Sequence, residues 1–211
     1  MPAITQRLDD WLRSLGTFDG LTRTLVLLCA FATLTAVLLN FLLAQKAAAV
    51  KRERRSVVAT CTMLGFFAGY YCLLRFRIGA VDFLPGPIEP VAAVVGLALL
   101  VAGTCVNILG RIALGGNWGD HIRIYQDHGL ITRGVYRLLR HPLYASLIWM
   151  FCGAALVFQN WLALLANLGL FLPAMYYRAR QEEVALTVEF PAYAAYRRTT
   201  GMFFPKLWKR K

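Results

Sequence analysis

Five apolar segments constrain the fold of this chain more strongly than any other feature of its sequence. Each segment has between 16 and 20 residues, and a helix needs about 20 apolar residues to cross the hydrocarbon core of a bilayer. The segments lie at residues 25–44, 57–74, 91–109, 143–158 and 161–177. Of the 211 residues, 58% are hydrophobic, more than in an ordinary soluble domain. We therefore predict an all-α, polytopic membrane helix bundle with about five transmembrane helices.

The positions of the basic residues predict how this bundle is oriented. Lys and Arg number 23 against 11 acidic residues; they concentrate at 46–55, at 110–142 and after residue 177, and are absent from 79–90. Cytoplasmic loops of membrane proteins are enriched in Lys and Arg. We expect an integral, multi-pass protein with its N terminus outside and its C terminus in the cytoplasm. Nucleic acid is not an expected partner, because the charge is spread along loops and no recognition motif appears.

The N terminus and the cysteines have simple structural explanations. Residues 1–16 place their apolar side chains on one helical face, which predicts a short helix lying in the membrane interface, with a mobile terminus as the alternative. The five cysteines are scattered through apolar segments without a paired spacing. We interpret them as small packing residues, and we expect neither disulfides nor a metal site.

A polar stretch at 128–144, between two apolar segments, is the best candidate for a functional site, because charged groups beside a membrane segment are costly. The two segments that follow it are joined by a tight turn at 159–160, so the chain returns to the side that it left. Packed helices lie about 8–10 Å apart. Arg140 and His141 should therefore face Glu182 and Glu183. Taken singly, each has a structural explanation, such as an i, i+4 pair between Arg178 and Glu182, but their convergence favours a site.

The motifs in this region resemble those of a known family. They read GGNW at 115–118, HGLITRGVY at 128–136, RHPLY at 140–144 and EE at 182–183. In this order and at this spacing they resemble the isoprenylcysteine carboxyl methyltransferases and the wider group that includes phospholipid N-methyltransferases. The resemblance covers residues 113–205, with Ile131 in place of the usual valine and Pro191 in place of a common glycine. It implies a catalytic region at 111–211, after an N-terminal region at 1–110 with the interfacial helix and three spans.

The resemblance also implies a cofactor and a set of site residues. S-adenosylmethionine would be the methyl donor, and a lipophilic or lipidated acceptor would enter from the bilayer, in a prokaryotic inner membrane rather than the endoplasmic reticulum. Arg178 would fix an acceptor carboxylate, whereas Glu183 would deprotonate an acceptor amine. The residues that match the family's donor-binding positions are His128, Leu130, Ile131, Gly134, Tyr136, Arg140, His141, Pro142, Tyr144 and Glu182.

The acceptor and the class of function stay open at the level of sequence. The acceptor is a carboxylate, an amine, a thiol or an isoprenoid. The protein is alternatively an NADPH-dependent membrane reductase of sterols or other lipids, in which Arg133 and Arg137 would bind the ribose phosphate. A second alternative is a non-catalytic membrane protein whose basic loops bind anionic lipids.

Overall fold

The fold is a helical bundle, as predicted. The computed structural model describes residues 16–44, 50–54, 57–80, 88–115, 122–125 and 130–206. Within these ranges, helices α1 to α7 are Phe18–Ala44, Val57–Arg75, Ile88–Leu114, Pro142–Val157, Trp161–Ala166, Leu172–Glu189 and Tyr193–Thr199. A 3₁₀ helix at Gly134–Arg137 precedes α4, and a π-helical turn at Asn167–Phe171 joins α5 to α6. An antiparallel ribbon, β1 (Val50–Arg54) with β2 (Ile122–Tyr125), was not predicted.

In the part of the chain that the structure describes, three helical segments are long and apolar enough to cross a membrane, judged by length and composition. They are Phe18–Asn40, Ile88–Leu114 and Trp161–Glu189. Helices α2 and α4 occupy the other two segments that we predicted as spans, and α4 is a shorter apolar helix of 16 residues. The predicted interfacial helix at 1–16 lies outside the described residues, apart from its last residue.

The central helices α3 and α4 approach closely because glycines line their contact. A Cβ atom built on Gly96 would lie 2.6 Å from the carbonyl oxygen of Gly153, and one built on Gly103 would lie 2.6 Å from Cγ of Met150. The GxxxG motif of α2, formed by Gly65 and Gly69, does not lie at a close helix contact. A Cβ built on either glycine would have no atom within 4 Å. The close helix approach therefore uses glycines of α3 and α4, and none of its contacts comes from that motif.

A helical hairpin carries the chain from α4 back along the bundle, as the tight turn predicted. The Asn160 side chain accepts a hydrogen bond from the Ala163 amide at 2.9 Å, which caps α5. Its Nδ2 donates to the carbonyls of Leu73 and Ile78, each at 3.1 Å, so the turn is tied to the end of α2. The helix then runs through the π turn and on to Glu189. It extends past Tyr177, where the predicted span ends, and carries Glu182 and Glu183 on the same rigid element.

The C-terminal segment folds back onto the loop before α4. The Arg140 amide donates to the Gly201 carbonyl at 2.8 Å, and the His141 amide donates to the Met202 carbonyl at 3.3 Å. The side chain of Phe203 is buried in the core cluster that contains Leu139. This pairing fixes the backbone of the RHP motif between the hairpin and the end of the described chain.

Candidate active site

The imidazole of His141 lies between the two carboxylates of α6. Its Nδ1 is 3.4 Å from Oε2 of Glu182, and its Nε2 is 3.4 Å from Oε1 of Glu183. The prediction that the RHP and EE motifs meet is therefore confirmed. Burial disfavours the charged imidazolium, but the two carboxylates outweigh it and raise the pKa of His141 above its usual value.

The carboxylate of Glu183 is buried and surrounded by arginines. Arg140 Nε donates to Glu183 Oε1 at 2.8 Å, and Nη1 of Arg180 and Nε of Arg197 each lie 3.4 Å from Oε2. The Arg140 guanidinium also donates to the carbonyls of Arg197, at 3.1 Å, and of Thr200. A buried carboxylate is tolerated only when it is paired in this way. Glu183 thus joins α6 to the RHP motif and to the C-terminal helix.

The neighbouring carboxylate, Glu182, has a different environment. Its side chain is 22% exposed, against 2% for Glu183. The Tyr144 hydroxyl donates a hydrogen bond to Oε1 of Glu182, and Nε of Arg178 lies 3.7 Å from the same oxygen. The Arg178 guanidinium also sits 5.8 Å from the centre of the Tyr144 ring, a cation–π geometry. Glu182 therefore presents a positioned carboxylate that a ligand can reach.

Two tyrosines outside the hairpin extend the site. Tyr136 is buried in the 3₁₀ helix, and its carbonyl accepts a hydrogen bond from the Tyr196 hydroxyl at 2.6 Å. Burial raises the pKa of both phenols, that of Tyr196 to about 12, so both stay protonated at neutral pH. Tyr136 is close enough to Glu182 for the two groups to interact electrostatically. Tyr136 thus adds an uncharged aromatic group near Glu182.

The other predicted donor-binding residues have simpler placements. Leu130 and Ile131 are half-buried before the 3₁₀ helix, which begins at Gly134 with a φ of 59°. Pro142 is buried as the first residue of α4. His128 lies outside the described residues. Among the described residues, no group of three or more His, Cys, Asp or Glu side chains is placed to hold a metal ion.

Several residues at the site were missed by sequence reasoning. Arg180 lies three positions before Glu183 on one helix face, so its pairing could have been found. Arg197 and Thr200 reach the site only because the C-terminal segment folds back, and no local pattern signals that. Asn107 and Ser146 form a buried hydrogen bond of 2.8 Å between α3 and α4, within two apolar segments.

Known proteins match the part of the chain that contains this cluster. Residues 95–188 match the model of the isoprenylcysteine carboxyl methyltransferase family. A probable protein-S-isoprenylcysteine O-methyltransferase of Oryza sativa subsp. indica is 35% identical over 108 residues, 48% of this chain and 56% of the relative. Protein-S-isoprenylcysteine O-methyltransferase A of Arabidopsis thaliana is 42% identical over 57 residues, 26% of this chain and 29% of the relative.

A relative with a different name matches a similar share of the chain. The cobalt-zinc-cadmium resistance protein CzcN of Cupriavidus metallidurans is 37% identical over 113 residues, 53% of this chain and 50% of the relative. The chain spans about half the length of the rice and Cupriavidus proteins. The family match includes α4, the hairpin and both carboxylates of the EE motif. Residues 95–188, slightly less than half of this chain, are therefore similar to the isoprenylcysteine carboxyl methyltransferase family.

Proposed function

We propose that this protein is an integral-membrane methyltransferase that uses S-adenosylmethionine and acts on a lipophilic acceptor. One observation carries the proposal: the family-matched region brings His141, Tyr144, Arg178 and Glu182 into one cluster, and its carboxylate is held in place and still accessible. A carboxylate that is oriented by a tyrosine and an arginine and is still partly exposed can accept hydrogen bonds from a ligand. From the distribution of basic residues, we propose that this face is cytoplasmic.

The residues present fit a methyl donor with hydroxyl, amino and carboxylate groups. Glu182 would accept hydrogen bonds from the ribose hydroxyls or the amino group. The imidazole of His141 and the amides at the start of α4 would hold the carboxylate, since a helix N terminus attracts anions. Tyr136, which is buried and uncharged, would pack against the adenine. The remaining predicted donor-binding residues would line the same pocket: His128, Leu130, Ile131, Gly134, Arg140, Pro142 and Tyr144.

When bound, the donor would supply an activated methyl group on a positively charged sulfur. An acceptor oxygen would form the new bond to the methyl carbon while the carbon–sulfur bond breaks. Such a displacement requires alignment of the reacting atoms in a site that excludes water, more than it requires acid catalysis. Arg178 would orient the acceptor by a two-pronged contact with its carboxylate.

The environment of Glu183 favours a carboxylate acceptor over an amine. A phospholipid ammonium group must lose a proton before it attacks, which requires a base that the acceptor can reach. Glu183 is buried against Arg140 and faces two further arginines. A carboxylate needs no base at neutral pH. We therefore assign Glu183 a positioning role and propose an acceptor of the isoprenylcysteine carboxylate type, as the names of two relatives suggest.

Methyl transfer to two acceptors tests the proposal. The purified full chain is incubated with S-adenosylmethionine labelled in its methyl group and with N-acetyl-S-farnesylcysteine or phosphatidylethanolamine vesicles. We expect an alkali-labile methyl ester on the farnesylcysteine. Glu182→Ala should abolish it, whereas Glu189→Ala, on the same helix but beyond the cluster, should not. Alkali-stable label on the phospholipid alone would contradict the proposed acceptor class.

A further inference from the structure

Arg111 lies near the end of α3 and has no role in the reaction proposed above. Apart from Glu89 in its first turn, α3 contains no other charged residue. Ionisable residues within membrane-spanning helices are rare, and they mark functional groups when they have defined partners. The common alternative is that such an arginine extends its side chain toward the nearest membrane surface.

The Arg111 side chain points the opposite way. Helix α3 ends three residues later, at Leu114, so an arginine seeking water would extend toward that end. Instead, Arg111 Nε donates to Oδ1 of Asn107 at 2.9 Å, one turn back toward the middle of the helix. Nη1 of Arg111 is buried. The guanidinium is therefore partly buried and tied to Asn107, and interfacial solvation alone does not explain its position.

A chain of hydrogen bonds fixes this arrangement. Asn107 is fully buried, and its Nδ2 donates to the Ser146 hydroxyl at 2.8 Å. Ser146 is fully buried as well, and its hydroxyl donates to the Leu143 carbonyl in the first turn of α4. Both side-chain polar atoms of Asn107 and the Ser146 hydroxyl are hydrogen-bonded, and satisfied buried polar groups of this kind are rigid. The network sets the position of Arg111 relative to the start of α4.

The end of α3 that carries Arg111 packs beside the 3₁₀ helix that carries Tyr136, where a Cβ built on Gly134 would lie 3.5 Å from Cβ of Ala113. Arg111 also interacts electrostatically with Tyr136, and Tyr136 does so with Glu182. The residue before it, Gly110, packs against the first turn of α4: a Cβ built there would be 3.1 Å from Cδ2 of Leu143. Two anion-attracting features, the N terminus of α4 and the Arg111 fork, are thus neighbours.

We propose that Arg111 is a carboxylate-binding residue of this site, positioned by Asn107 and Ser146. The inference rests on the proposed function, which brings two carboxylates to the site: that of the donor's amino-acid group and that of the acceptor. Arg178 binds the acceptor carboxylate in our assignment, so Arg111 binds the donor carboxylate, together with His141 and the start of α4. Its planar fork suits a two-pronged contact that a lysine cannot reproduce.

Two pairs of ligands test this role, and in each pair only one member has a free carboxylate. Calorimetry with the purified full chain compares S-adenosylhomocysteine with methylthioadenosine, which lacks the amino-acid part, and N-acetyl-S-farnesylcysteine with its methyl ester. Arg111→Lys keeps the charge and loses the fork. We expect it to weaken binding of S-adenosylhomocysteine at least tenfold and to leave binding of methylthioadenosine unchanged. Weakened binding of farnesylcysteine alone would overturn the assignment of Arg111 to the donor carboxylate.

Two further variants control the experiment. Asn107→Ala removes the hydrogen-bond acceptor of Arg111 Nε, and it should weaken binding of the same ligand to a smaller extent. Arg137→Lys, at an exposed position beside Tyr136, should change nothing. Equal weakening of all four ligands in Arg111→Lys, or no weakening of any, would overturn the proposal. If the unsubstituted protein binds neither nucleoside nor farnesylcysteine, the proposed function itself fails.

Discussion

Replacing Glu183 by glutamine separates an anchoring role from a catalytic one. Glutamine has nearly the same shape but no charge, so the side-chain oxygen can still accept the hydrogen bond from Arg140 while the ion pair disappears. If Glu183 anchors α6 to the RHP motif, Glu183→Gln should lower the free energy of unfolding. If it is a base that the acceptor reaches, the substitution should instead lower turnover and leave stability intact.

The structure sets the expected size of the loss. Removing one partner of a buried ion pair costs about 3–5 kcal/mol, whereas pairs at exposed side chains contribute little. Arg140 is 10% exposed, while Arg180 and Arg197 are 44% and 46% exposed, so the Arg140 pair dominates. Because glutamine keeps one hydrogen bond, we expect a loss near the lower limit, about 3 kcal/mol. For a protein of this size that lowers the midpoint of thermal unfolding by roughly 6–12 °C.

Thermal unfolding in detergent, followed by tryptophan fluorescence, measures this shift. Asp19→Asn is the control, because it removes the same charge at an exposed position in the first turn of α1. It should move the midpoint little, as most surface substitutions do. An unchanged midpoint for Glu183→Gln, together with a large loss of methyl transfer, would refute the anchoring role. It would indicate instead that Glu183 acts as a base.

Two further predictions follow from the same region. Gly201→Ala should destabilise the protein strongly, because the new Cβ would overlap the carbonyl of Phe204, whereas Gly65→Ala, which faces open space, should not; equal midpoints of thermal unfolding would contradict this. The raised pKa of His141 should add stability that is fully present below the usual pKa of about 6.5 and is lost as the pH rises through the folded-state value. His141→Gln should remove that dependence, and an unchanged pH profile would refute it.

The meeting of the RHP and EE motifs was predictable because a tight turn between two apolar helices returns the chain to its starting side. The different roles of Glu182 and Glu183 were not. Adjacent residues on a helix point about 100° apart, so one faces Tyr144 and the ligand side while the other faces Arg140. Which residue does which depends on the rotation of α6, and that is set by packing.

Long-range pairings were also beyond the reach of the sequence. The contact between Gly201 and Arg140 joins residues about sixty positions apart through backbone groups that every residue possesses. Hydrophobic periodicity in the sequence therefore does not indicate this contact. The buried pair of Asn107 and Ser146 was overlooked for another reason: in an apolar segment, single polar residues look like tolerated exceptions until their partner on the next helix is known.

The central claim, a donor site built around His141 and Glu182, is tested most directly by calorimetric titration of S-adenosylhomocysteine into the detergent-purified protein, with NADPH as the comparison. We predict saturable binding of S-adenosylhomocysteine, its loss in Glu182→Ala, and no binding of NADPH. Binding of NADPH alone would identify a reductase instead, and binding of neither ligand would contradict the assignment of this cluster as an active site.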